Sequence, residues 1–331
     1  MFRPFIVVAG ILLSSPLLSA FDPASQDDSQ ALLRHFYLPS KTVGPPLLQG
    51  SFFDPHEGET LTLMGGADVF RMQDAGYFEA MLQSVFADRS LQVRNIGWSS
   101  DTVYRQQRPM FFFTEKGDTR EGSVPDRREK IQPGVFLLFF GKMESLEGEE
   151  ALPAFEETYR ELLSGLRKFS QRIVVVSPIS FPAKGPATEM AGQRNEVLKK
   201  YAEASRRAAE DSGAVFFDLE DFESSHFESN GMYLSESGHL ELATRLVHSL
   251  GIGPEWNDEV LAKVLEKNRL WDQYYRPTNW AFLYGDRQHV PSSRDHVDNN
   301  KRWFEEELKK IPGLIAKKET EIWKLAEGVA R

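Results

Sequence analysis

The sequence predicts an α/β protein in which a doubly wound, parallel, five-stranded sheet forms the middle of three layers and a helical extension follows at the C-terminus. Five short apolar runs are spread over residues 58–253. Loops rich in glycine, proline and polar residues end these runs, and segments with helical periodicity alternate with them. Strands that alternate with helices form parallel sheets with right-handed crossovers.

Composition limits the functions open to the chain. The 331 residues are 41% hydrophobic, which is enough apolar material for one large globular domain and an extension. Asp and Glu number 49 against 39 Lys and Arg, so the formal net charge is -10, which argues against a nucleic-acid partner. The sequence contains no cysteine, which excludes disulfides, thiol catalysis and thiolate metal sites.

Residues 1–20 have the pattern of a secretory signal peptide, because Arg3 precedes an apolar run that ends in small residues near Ala20. This pattern predicts export to the periplasm or the medium, with no stable membrane span once the signal is removed. An uncleaved anchor is the alternative. Residues 21–57 are rich in proline, glycine and serine and predict an extended lead-in with a short helical segment at 29–37.

Periodicity predicts the elements of the α/β domain at residues 58–253. The predicted strands are residues 60–64, 91–96, 135–140, 173–177 and 214–218. The predicted helices are residues 77–86, 153–169, 195–212 and 239–250. The continuous apolar run at 135–140 is typical of a central strand buried on both faces.

Two polar regions complete the predicted organisation. Residues 105–131 are strongly polar and predict a long surface excursion rather than regular structure. Residues 254–331 predict the helical extension, with helices at 255–275, 297–310 and 314–328. We expect this extension to pack on the sheet domain, because its apolar content is small for an independent core.

The loop after the first predicted strand is a candidate site. Gly65 and Gly66 lack a Cβ, which allows their backbone amides to face a ligand. Ala67 and Asp68 follow, so this turn carries no serine, threonine or cysteine. Ligands of open α/β sheets bind at the carboxyl ends of the strands, and we therefore expect the other strand-end loops to meet this one.

Four blocks in this order resemble the SGNH, or GDSL-type, esterase and lipase family. The blocks are residues 65–67, Gly97, residues 141–144 and residues 230–238. The resemblance covers residues 58–250 and implies a flavodoxin-like α/β/α sheet and hydrolysis of acyl esters. In that family a Gly-Asp-Ser turn supplies the nucleophile, a glycine and an asparagine complete the oxyanion hole, and an Asp-x-x-His pair supplies the base.

The residues that would carry this chemistry are altered here. The family's aspartate and serine fall on Gly66 and Ala67, and its base pair falls on Asn230 and Tyr233. An alanine cannot attack a carbonyl carbon, and loss of a triad member costs several powers of ten in rate. The resemblance therefore implies the fold together with a degenerate serine site.

The oxyanion positions are only partly kept. The glycine falls on Gly97, whereas the asparagine falls on Lys142 or Met143, neither of which is a neutral amide donor. A rearranged acid/base set is the hypothesis that preserves activity. Its predicted catalytic residues are Asp68, Asp101 and Glu144, with the hydroxyls of Ser99 and Ser100 beside them. The predicted substrate-binding residues are Gly65, Gly66, Ala67, Gly97, Trp98, Ser99, Ser100, Gly141 and Tyr233.

Each acidic candidate also has a structural alternative. Asp68 could cap a helix or close a turn, Asp101 could close a turn, and Glu144 could form a salt bridge with an arginine such as Arg71. His239 is predicted to be a packing residue at a helix start. The histidines are scattered, so the sequence predicts no metal site and no cofactor.

Two functions follow from these residues. The first is an exported esterase that acts on acyl or acetyl esters, with carbohydrate esters as one substrate class, through a non-standard site. The second is a non-catalytic member of the same fold that binds a glycan or a protein. The expected ligand is a small molecule or a carbohydrate ester, and the sequence does not identify a protein partner.

Overall fold

The computed structural model describes residues 33, 36–41, 47, 50–106, 130–219, 221–283, 287, 289–291 and 294–329. The predicted signal peptide at 1–20 lies outside the described residues, as do residues 21–32 of the lead-in and residues 107–129 of the predicted excursion. Of the helical segment predicted at 29–37, only residues 33, 36 and 37 are described.

Five parallel strands form one sheet, as the sequence predicted. They are β1 (Thr60–Gly65), β2 (Gln92–Asn95), β3 (Val135–Phe139), β4 (Arg172–Val176) and β5 (Val215–Phe217). The order across the sheet is β2-β1-β3-β4-β5, so β3 is central and β2 lies at an edge. The register pairs Leu63 with both Asn95 and Leu137, which brings the carboxyl ends of β1, β2 and β3 level with one another.

Helices cover both faces of this sheet. Those that follow the strands are α1 (Ala67–Ala75), α2 (Tyr77–Val85), α3 (Leu152–Leu166), α4 (Ala191–Asp211) and α5 (Glu236–Ser249). The C-terminal ones are α6 (Asp258–Tyr275), α7 (Trp280–Leu283), α8 (Trp303–Leu308) and α9 (Ile311–Val329).

Alternate residues of β3 supply the two hydrophobic cores. Phe136 and Leu138 pack in the core that contains α3 and α4. Val135 and Leu137 pack in the opposite core, with α1, α2 and α5. Because β3 is apolar on both faces, it occupies the centre of the sheet, as its continuous apolar run indicated.

Helix α1 was not predicted. It begins at Ala67, directly after the glycine turn, and Gly76 ends it in the left-handed conformation with a φ of 71°. Helix α2 then starts at the next residue. The sequence pattern predicted only the second of these helices, because the first is short and mixed in polarity and is separated from the second by a glycine.

The C-terminal helices α6 and α9 cover the open edge of the sheet. No strand of the described residues lies on the outer side of β2, so the carbonyl groups of alternate residues point away from the sheet. Side chains from the extension donate to these groups. The donor–acceptor pairs are Trp323 Nε1 to Leu91 O at 2.9 Å, Lys267 Nζ to Val93 O at 3.3 Å, Trp271 Nε1 to Asn95 O at 2.6 Å and Arg276 Nε to Gly97 O at 2.9 Å.

Two ion pairs attach the same helices more firmly. Lys267 of α6 donates to Glu79 of α2 at 2.7 Å, with 1% and 5% of the two side chains exposed. Arg94 of β2 donates to both carboxylate oxygens of Glu319 in α9. An uncovered edge strand invites pairing with other chains, and this extension removes that hazard.

Candidate functional site

The candidate site begins where β1 meets α1. A Cβ on Gly65, whose φ is 152°, would overlap the carbonyl oxygen of Phe139 at the end of β3, so only glycine fits there. Gly66 is the N-cap residue of α1, and no side chain caps this end of the helix. Ala67 is therefore the first helical residue, and the amides of the first turn are left without helical partners.

The loop after β2 lies directly against this helix start. Trp98 N donates to Gly65 O at 3.0 Å, and a Cβ on Gly97 would overlap the side chain of Val69 in α1. The amide of Gly97 donates to Asn95 Oδ1 at 3.0 Å. This amide, predicted as an oxyanion donor, is thus occupied within the protein.

Glu144 holds two loops together from a buried position. Its side chain accepts hydrogen bonds from Val103 N at 2.7 Å and from Gly141 N at 2.8 Å, and the residue is 2% exposed. Burial raises the pKa of Glu144, and these backbone hydrogen bonds act in the opposite direction. Both carboxylate oxygens of Glu144 accept backbone amides, so the residue holds the two loops together, and its catalytic role stays a prediction.

Glu144 forms no salt bridge with Arg71, the partner named in its structural alternative. The predicted partner Arg71 instead pairs with Asp74 at 3.4 Å. A charge next to an apolar strand does need partners, and here backbone amides provide them.

The rearranged acid/base set is not assembled. Asp101 is 1% exposed, and its amide donates to Trp98 O at 2.8 Å within the turn. Ser99 is half-buried and Ser100 is exposed. Among the described residues, no hydrogen bond joins either hydroxyl to a carboxylate or an imidazole, so the geometry supplies neither serine with a base.

Lys142 is the centre of the site instead. Its Nζ lies 3.3 Å from Asp68 Oδ2, 5.5 Å from the centroid of the Phe181 ring and 5.1 Å from that of the Phe227 ring. These partners follow β1, β4 and β5, whereas Lys142 itself follows β3. Asp68, predicted as catalytic, thus lies in the first turn of α1 as the ion-pair partner of a lysine.

Tyr233 and His239 lie on the side of the site formed by α5 and the loop before it. The guanidinium of Arg71 lies 4.7 Å from the centroid of the Tyr233 ring, at cation–π distance. His239 is 8% exposed, and its Nδ1 has no hydrogen-bond partner among the described residues. Burial lowers the pKa of His239, while the charges of Asp68 and Asp74 act to raise it, so the imidazole is neutral at pH 7.

The order of these loops matches one known family. The model of the GDSL-like lipase/acylhydrolase family matches residues 64–248, which is more than half of the chain. The chain belongs to this family. The resemblance found in the four sequence blocks is thereby confirmed.

The solved structures that resemble this GDSL-like protein are distant from it in sequence. A catalytic mutant of an acetylxylan esterase from Geobacillus stearothermophilus is 16% identical, over 62% of this chain and 100% of that chain, with a TM-score of 0.45. A gut microbial diltiazem-metabolizing enzyme is 16% identical, over 61% of this chain and 49% of that chain, with a TM-score of 0.46. No curated protein matches the chain.

A cavity of about 400 Å³ lies at the amino ends of the strands, at the opposite end of the sheet from the GDSL-like blocks. Thr60, Gln92 and Gly134 line it, and these residues lie at or just before the amino ends of β1, β2 and β3. Ligands of open α/β sheets bind at the carboxyl ends, so we place the candidate site at Lys142 rather than in this cavity.

Neither a metal centre nor a membrane helix is seen in the described parts of this GDSL-like chain. The described residues contain no cluster of three or more His, Asp or Glu side chains that could hold a metal ion. Within those same ranges, no helix combines the length and the apolarity that crossing a membrane requires.

Sequence reasoning missed two residues of the GDSL-like site. Lys142 was considered only as a residue that cannot replace the asparagine of the oxyanion hole. A lysine directly after a buried strand and a glycine nevertheless indicates a cation at the carboxyl ends of the strands. No prediction was made for Arg276, because nothing near it in the sequence reveals its partners.

Proposed function

We propose that this chain binds acyl esters of carbohydrates at the carboxyl edge of its sheet without cleaving them through a serine nucleophile. The observation that carries the proposal is the position of Lys142, which follows β3 and contacts Asp68, Phe181 and Phe227, residues that follow β1, β4 and β5. Asp68 is the neighbour of Ala67 in the sequence. A lysine and an alanine thus stand where a serine hydrolase needs a nucleophile and neutral oxyanion donors.

The groups around Lys142 suit an ester of a hydroxyl-rich ligand. The first-turn amides of α1 and the ammonium of Lys142 are donors for an ester carbonyl. Asp68 is an acceptor for hydroxyl groups, and the half-buried rings of Phe181 and Tyr233 are apolar surfaces for sugar rings. Such a mixture of apolar walls with a few polar groups is typical of ligand sites.

Replacement of Lys142 tests the binding proposal. Partially O-acetylated xylo- and manno-oligosaccharides are titrated into the wild type, Lys142→Met and Lys199→Met, and Kd is measured by calorimetry. We expect Lys142→Met to weaken binding at least tenfold, since it removes the ammonium group that faces Asp68, Phe181 and Phe227. Lys199→Met removes an exposed lysine of α4 and serves as the control. Equal affinities for all three proteins, or no binding by the wild type, contradict the proposal.

His239 supports a second candidate function, ester hydrolysis by an activated water. A neutral imidazole near the charge of Asp68 is able to accept a proton from water as the water oxygen attacks the ester carbonyl carbon. The bond from that carbon to the alcohol oxygen then breaks, and the imidazolium returns the proton to the departing oxygen. Because burial lowers the pKa of His239, acetate release by this route should stay level as pH falls through 6.5 and decline only at lower pH. His239→Gln should abolish it. Release that His239→Gln leaves unchanged contradicts this candidate.

We also propose that the protein is exported. The support is the signal pattern of residues 1–20, namely a positive residue, an apolar run and small residues near Ala20. Edman or mass-spectrometric determination of the mature N-terminus tests this proposal, and a mature chain that begins near residue 21 is the expected result.

A further inference from the structure

Arg276 ends α6 with a buried guanidinium group that reaches the loop after β2. Its Nε donates to Gly97 O at 2.9 Å, and its Nη2 donates to the same oxygen, to Asn95 O at 3.0 Å and to Asn95 Oδ1 at 3.2 Å. Its Nη1 donates to Gln73 Oε1 in α1 at 2.9 Å and to Asp272 Oδ1 at 3.2 Å. The side chain of Arg276 thus contacts both the loop after β2 and helix α1, the two elements that meet at the start of the candidate site.

Aromatic rings surround the same guanidinium. Its Cζ lies 5.0 Å from the ring centroid of Phe70 in α1, 5.8 Å from that of Trp98 and 5.2 Å from that of Tyr275. Arg276 is 7% exposed, and burial lowers its pKa while Tyr275, Asp272 and Asp101 act to raise it. A guanidinium stays charged at neutral pH, and its planar fork serves several acceptors at once, which a lysine ammonium on a flexible stem cannot reproduce.

Asn95 links the guanidinium of Arg276 to the backbone of the loop after β2. Its Oδ1 accepts from Arg276 and also from Gly97 N at 3.0 Å, while its Nδ2 donates to Val69 O in α1. Arg276 therefore fixes the carbonyl of Gly97 directly and the amide of Gly97 through Asn95. Trp98 and Asp101 follow in the same loop and pack on Gly65 and Gly66 of the candidate site.

We propose that Arg276 is a positioning residue through which the C-terminal extension sets the conformation of residues 95–101 at the candidate site. Detachment of α6 from the sheet edge would then release this loop, even if the sheet itself stayed folded. A consequence for ligand affinity rests on the proposed function, whereas the effect on loop conformation does not.

Hydrogen exchange tests the proposal without a ligand. Amide exchange is measured in the wild type, Arg276→Met, Arg276→Lys and Asp272→Asn, with the amides of Leu137 and Leu138 in β3 as the report on global opening. We expect the amides of Gly97 and Trp98 to exchange at least tenfold faster in Arg276→Met, to be intermediate in Arg276→Lys, and to be close to wild type in Asp272→Asn. The exchange rates of the Leu137 and Leu138 amides in β3 should stay within about twofold of the wild-type rates in all variants.

Two results would overturn the proposal. One is unchanged exchange at Gly97 and Trp98 in both Arg276 variants. The other is an equal increase at the loop and at β3, which would mean that Arg276 contributes only to global stability. If Arg276→Met does not fold, Arg276→Lys decides alone, because it retains the charge and most of the stem. Binding of O-acetylated oligosaccharides, measured in parallel, shows separately whether the proposed function fails.

Discussion

Replacement of Glu79 with alanine is expected to lower the free energy of unfolding by about 3–5 kcal/mol, because it leaves the ammonium of Lys267 buried without its carboxylate. Lys267 is 1% exposed and donates to Glu79 at 2.7 Å, so it cannot recover water without moving α6 away from α2. Burial raises the pKa of Glu79, and the charge of Lys267 acts in the opposite direction. Urea denaturation followed by circular dichroism measures the change.

Two variants control this measurement. The double variant Glu79→Met with Lys267→Met should recover more than half of the loss, because two apolar side chains replace a buried ion pair without an orphan charge. Glu266→Ala removes an exposed partner of Lys263 and Lys318 on the outer side of the extension and should have a much smaller effect. A loss of stability in Glu79→Ala no larger than in Glu266→Ala would show that the extension is not integral to the fold.

Replacement of Glu144 with alanine is expected to destabilise the protein rather than to remove a catalytic group. The amides of Val103 and Gly141 lose their acceptor, at about 1–3 kcal/mol for each buried donor left unpaired. Glu147→Ala is the matched control, because Glu147 is exposed on the same short 3₁₀ helix, Glu144–Glu147. Denaturation midpoints of the two variants, compared with that of the wild type, give the result.

The pH dependence of stability gives a second test of Glu144. Burial raises its pKa, so the folded protein keeps this proton at a pH where the unfolded chain has released it. The group therefore lowers stability as pH rises from the ordinary carboxylate pKa to the raised one, and the alanine variant should lack this component. An identical pH profile for Glu144→Ala and the wild type would contradict this assignment.

The sheet was predictable because its strands are apolar runs bounded by glycine and proline. The first strand was predicted at 60–64 and observed at Thr60–Gly65, and the fourth was predicted at 173–177 and observed at Arg172–Val176. Burial on both faces imposes such runs on strands of a parallel sheet. Helix α1 carries no equally strong pattern, since its buried residues are few and Gly76 follows it closely.

The site was less predictable because its contacts join residues that are far apart in the sequence. Arg276 donates to Gly97 from 179 positions away, and Lys142 meets Asp68 from 74 positions away. The pattern did place Glu144 at a strand end, but its partners are backbone amides, which residue types do not reveal. The sequence did indicate that the family's serine and histidine are missing, because Ala67 and Tyr233 stand at their positions.

The most direct test of the account follows binding and hydrolysis in one sample. Wild-type protein is mixed with partially O-acetylated xylo-oligosaccharide, and proton NMR records saturation transfer to the sugar and the acetate signal over a day. We expect saturation transfer that Lys142→Met removes, with acetate release equal to that of a protein-free control. Acetate released in proportion to protein concentration, and lost when Ser99 or Ser100 is replaced by alanine, would contradict it.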